Sequence, residues 1–75
     1  MKNAELDKLR QEYRAAVEVW IAAIREEEAL ATPDHSVNAV DQWEEAGFRE
    51  EEARTCAKVA KSAYEDLLRR VNFGF

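Results

Sequence analysis

Between Asn3 and Ala31 the apolar side chains return at alternating intervals of three and four: Leu6, Leu9, Tyr13, Ala16 or Val17, Trp20, Ala23 or Ile24, then Leu30 or Ala31. That rhythm belongs to an amphipathic helix, because a half-buried strand would alternate at every second residue. No glycine or proline interrupts the run, which predicts one helix over about 3–31. At ~1.5 Å per residue such a helix is roughly 42 Å long, a length suited to a bundle or coiled coil.

The pattern breaks at Ala31-Thr32-Pro33-Asp34-His35-Ser36. Proline disfavours helical backbone at the residue before it and is well tolerated in the first turn of a new helix. Thr32, Asp34 and Ser36 are all good N-caps, so the turn falls over about 32–35 and the second helix begins between 33 and 37. Acids just inside that start suit the helix dipole. The second stripe reads Val37, Val40, Trp43, Ala46 or Gly47, Ala53, Cys56 or Ala57, Ala60, Tyr64, Leu67 and Val71. One helical phase carries through it, predicting a helix over about 36–71 and a tail over 72–75. One long helix passing through Gly47, straight or bent there, is the preferred reading; the alternative is a C-cap closing a short segment at Ala46.

Two long helices joined by a short turn lie antiparallel, so the expected fold is all-α, a two-helix hairpin forming a single domain. Folding the chain about residues 33–34 pairs positions whose numbers total about 67. Leu30 then meets Val37, Ile24 meets Trp43, and Leu6 and Leu9 lie beside Ala57 to Lys61. Trp20 lands opposite Gly47, a large ring against a residue with no side chain.

A hairpin buries only the strip between its helices, and below ~80 residues one core seldom supplies more than ~3–5 kcal/mol. Here apolar residues spill beyond that strip: Val17, Val19, Ile21 and Ile24 on the first helix, Phe48, Val59 and Leu68 on the second. Spare width on both helices calls for a further partner surface, most simply a second copy, giving a four-helix bundle. The residues expected in the core or the dimer interface are Leu6, Leu9, Tyr13, Val17, Trp20, Ile24 and Leu30 on the first helix. On the second they are Val37, Val40, Trp43, Ala53, Ala57, Ala60, Tyr64, Leu67 and Val71.

Charge narrows the functional classes. The 75 residues hold 11 Lys or Arg and 16 Asp or Glu, net −5, which argues against nucleic acid, where phosphate neutralisation dominates binding. Residues 26–52 carry ten acids against Arg49 alone, whereas residues 1–25 hold five bases and four acids, and residues 53–75 five bases and two acids. A hairpin is therefore acidic at its tip and mildly basic at its open end, and tip-to-base pairing of two copies is favoured over tip-to-tip. Arg69 and Arg70 read as compensation of the C-terminal helix dipole. No run of ~18 uncharged apolar residues is present, so no membrane span is expected.

The chemistry-bearing residues are few. Cys56 is the lone cysteine and cannot form an internal disulfide, which places the chain in a reducing cytoplasm. It lies on the second stripe among small apolar residues, and reads as a buried or half-buried structural thiol rather than a nucleophile. The opening residues, with acids and no apolar stretch, do not resemble an export signal. Glu26 to Glu28 and Glu50 to Glu52 read as a solvated acidic face. Glu27 is the exception, since it falls on the apolar stripe and needs a partner or a route to water. With Asp34 and His35 it forms the one candidate metal or ligand set, although the Glu-x-x-His spacing of carboxylate-bridged metal bundles is missing. Phe73 and Phe75 are expected to fold back over Leu6 and Leu9. No cofactor and no catalytic set is expected, so the leading functional class is a non-enzymatic structural or protein-interaction module acting as a homodimer. A small-ligand or metal-handling bundle is the alternative.

Overall fold

A computed structural model describes residues 4–33 and 36–72 in full and the backbone of Phe73. Within these residues there are two helices and no strand: α1 spans Ala4–Leu30 and α2 spans Val37–Phe73. They pack on each other along their lengths as a rod of 57 × 18 × 12 Å. Glu5 and Asp7 in the first turn of α1 and Arg70 in the last turn of α2 complement the helix dipoles.

Ser36 caps α2. The amide of Ala39 donates to the Ser36 hydroxyl at 3.2 Å, and the amide of Val40 donates to the Ser36 carbonyl at 3.0 Å. The first turn of α2 contains no acid, so the expected contribution of acids just inside this start is absent. At the end of α1 the amide of Ala31 donates to Glu28 at 3.1 Å, a tightened last turn. α2 runs unbroken through Gly47.

The seam follows a strict three-four rhythm on both helices. On α1 it consists of Leu6, Leu9, Tyr13, Ala16, Trp20, Ala23, Glu27 and Leu30, all half-buried. On α2 it consists of Ala46, Glu50, Ala53, Ala57, Ala60, Tyr64 and Leu67, of which Ala46, Ala53, Ala57 and Leu67 are buried. Alanine in so many seam positions lets the helices approach toward the near end of the usual 8–10 Å axial separation. It also buries little apolar area per residue.

The register differs from the one expected. Arg49 donates to Glu26, Glu27 faces Gly47, and the rings of Tyr13 and Tyr64 lie 6.4 Å apart. Facing positions thus total about 75 rather than about 67, a slip of close to one heptad. α2 therefore begins beyond the level at which α1 ends. α2 has 37 residues and α1 has 27, so the first two turns of α2 overhang by roughly 12 Å. Leu30 therefore does not meet Val37, nor Ile24 meet Trp43. Trp20 does not lie over Gly47 either: its indole N–H donates to the Glu50 carboxylate at 2.7 Å.

Candidate functional site

Several residues expected at the core or an interface lie outside the seam of the hairpin. Val37 is 78% exposed and Trp43 47% exposed, because both sit on the overhang where α1 has already ended. Val71 and Ile24 are exposed as well. Val17, Val40 and Leu68 are half-buried along the seam's edge. Cys56 is exposed, which corrects its reading as a buried or half-buried thiol. It precedes the buried Ala57 by one residue, and ~100° of helical rotation turns it out of the seam.

The polar residues of the tip organise around the seam. Glu27 and Glu50 occupy seam positions, Glu50 bonded to Trp20 and Glu27 with its Oε2 3.0 Å from where a Gly47 Cβ would stand. Arg49 bridges the helices to Glu26 and also pairs with Glu45 one turn before it at 3.6 Å. Elsewhere Arg54 pairs with Glu51 at 3.7 Å and Arg69 with Asp66 at 2.9 Å. Glu50 is thus not part of a solvated acidic face with Glu51 and Glu52 but a half-buried seam residue, and its spacing of seven from both Trp43 and Ala57 is the signal in the sequence.

Among the described residues no group of three or more His, Cys, Asp or Glu side chains is placed to hold a metal. Of the candidate set, Glu27 lies in the seam, while Asp34 and His35 lie outside the described residues, as do the expected contacts of Phe73 and Phe75. No described helix is long and apolar enough to cross a membrane.

What remains is surface, and the seam divides it into two broad faces. One carries Val17, Ile21 and Ile24 of α1 beside Arg54, Lys58 and Lys61 of α2. A shallow groove opens on it, floored by Tyr13, Trp20 and Ala57 and edged by Val17, Lys58 and Lys61. The opposite face carries the Glu26–Arg49 bridge and, one heptad along each helix, Val19 and Cys56, with Val59 beyond. Ile21, Ile24, Val19 and Val59 are all among the exposed apolar residues. Phe48, 69% exposed, points from the back of α2. The chain matches no protein-family model, no curated protein and no solved structure.

Proposed function

We propose that the protein is a non-enzymatic structural or interaction module whose working form is a homodimer of hairpins, a four-helix bundle, in the reducing cytoplasm. One observation carries this reading: both broad faces of the hairpin leave aliphatic side chains exposed, while among the described residues the seam buries only three alanines and one leucine. So thin a core contributes little, since stabilisation scales at roughly 25 cal/mol per Å² of apolar surface buried. Packing a second hairpin against one face would cover part of the remainder and supply the missing inside. A lone exposed thiol fits a reducing compartment, where it stays unpaired.

Sedimentation equilibrium at micromolar concentration tests the reading. The expected mass is twice the 8.6 kDa of one chain; a single species of 8.6 kDa would overturn it.

A further inference from the structure

We propose that the second copy docks on the face of Val17, Ile21 and Ile24, antiparallel to the first, about a two-fold axis that crosses the rod at Ile21; this rests on the dimeric reading above. The charges on that face are the reason. Seven residues from Ile21 toward the tip stands Glu28, and seven residues toward the open end stands Arg14; a separation of seven places all three on one side of α1, with ~10 Å between neighbours. In the observed register Ile21 lies level with about residue 54 of α2. About that level Glu51 and Lys58 are again a heptad apart, one on each side of the centre. All four charged residues are exposed.

A two-fold axis at Ile21 inverts the rod and lays α1 on α1 and α2 on α2. Glu28 then faces the partner's Arg14, and Glu51 faces the partner's Lys58, each pairing occurring twice by symmetry. Ile21 packs on its own copy. Ile24 arrives at the level of residue 18, where the groove floored by Tyr13, Trp20 and Ala57 lies open. An aliphatic knob therefore meets an apolar hole at the same spacing that brings opposite charges together. A parallel dimer through this face would set acidic tip against acidic tip. The opposite face is mixed: Glu26, Glu45, Glu52 and Arg49 lie toward its tip and Glu5, Glu12, Lys8 and Arg70 toward its open end, so inversion there brings acids against acids as well as against bases. The antiparallel arrangement has two unfavourable meetings, Glu44 with the partner's Glu65 and, beside the axis, Arg54 with the partner's Arg54.

Three charge variants of the full chain test the arrangement, with helix content followed by circular dichroism and the dimer dissociation constant measured in dilute sodium chloride. Arg14→Glu with Lys58→Glu, and separately Glu28→Lys with Glu51→Lys, each weaken the dimer at least tenfold, and the loss shrinks as salt screens the charges. Combining all four substitutions in one chain restores the constant to within about threefold of the original. Glu44→Lys tightens the dimer, and Val59→Glu on the opposite face leaves it unchanged. A wild-type chain that is monomeric overturns the dimeric reading itself. A wild-type dimer unaffected by either pair of reversals, or not rescued by the combination, overturns only this face and orientation. So does a dimer broken by Val59→Glu.

Discussion

Replacing Gly47 with alanine isolates the register of the hairpin from its overall stability. Gly47 lies inside a continuous 37-residue helix, where glycine is less favourable than alanine by about 1 kcal/mol. Against this gain stands one contact: the new Cβ would lie 3.0 Å from Oε2 of Glu27 and meet nothing else closer than 4.0 Å. That oxygen is the far end of a flexible, half-buried side chain, so a retreat of a few tenths of an ångström costs a fraction of a kcal/mol, as a modest rotamer adjustment does. The net expectation is stabilisation by about 0.5–1 kcal/mol. With ~4–8 °C of melting temperature per kcal/mol in a domain of this size, Gly47→Ala raises the midpoint by roughly 2–8 °C. Far-UV circular dichroism at one fixed protein concentration reads this cleanly, because association shifts apparent stability by mass action. The double variant with Glu27→Ala provides the control. If the carboxylate simply moves aside, the two effects add within about 0.5 kcal/mol. A fall in melting temperature would refute the reasoning, and a fall abolished by Trp20→Ala would show that the indole, not Glu27, lies over the glycine.

Four further outcomes follow from the same geometry. Trp20→Phe keeps a ring in the seam but deletes the donor to Glu50, and should cost about 1 kcal/mol in a denaturant melt, the net value of such a hydrogen bond. Ser36→Ala removes the cap that holds the Ala39 amide and should cost ~0.5–2 kcal/mol, read by thermal melting. Ala57→Leu forces three extra carbons into a site that is only 3% exposed, and should destabilise by ~1–3 kcal/mol through overpacking; an unchanged melt would mean the seam is looser than its alanines imply. Cys56 should react with a thiol reagent in the native protein at a rate near that of the unfolded chain, and Cys56→Ser should change stability by less than about 0.5 kcal/mol.

Salt offers a check on the electrostatic part of the proposed dimer. Exposed ion pairs contribute only ~0–1 kcal/mol each, so sodium chloride should loosen an antiparallel dimer modestly between low and moderate concentration. A parallel dimer would tighten instead, as salt relieves the repulsion between two acidic tips.

Much of the hairpin is written in local chemistry. The three-four spacing from Leu6 to Leu30 defines which side of α1 turns inward, and the same residues line the seam. The unbroken run before Ala31, Pro33 beyond it and the capping hydroxyl of Ser36 delimit the helices, because turn and cap preferences act over three or four residues and need no tertiary partner. Part of the spill beyond the seam was equally legible: Val19, Ile21, Phe48 and Val59 are exposed because their angular positions on the helix leave them there, whereas Val17 and Leu68 stay half-buried at the seam's edge.

Register was decided elsewhere. Sliding α2 by one heptad past α1 returns the same face to the seam, and a stripe of alanines at 46, 53, 57 and 60 accepts either setting with little change in volume. Specific pairings between distant residues distinguish the two settings: Trp20 with Glu50, Arg49 with Glu26, Tyr13 beside Tyr64. None leaves a trace in local periodicity. The loop then adapts, since six connecting residues can turn tightly or run past the end of α1. From that one choice follow the overhang, the exposed Trp43 and the position of Gly47 against Glu27. Cys56 is a finer case: a stripe that lists Cys56 or Ala57 leaves one residue of ambiguity, and in a helix one residue is ~100°. Only the packed structure turns Ala57 in and Cys56 out.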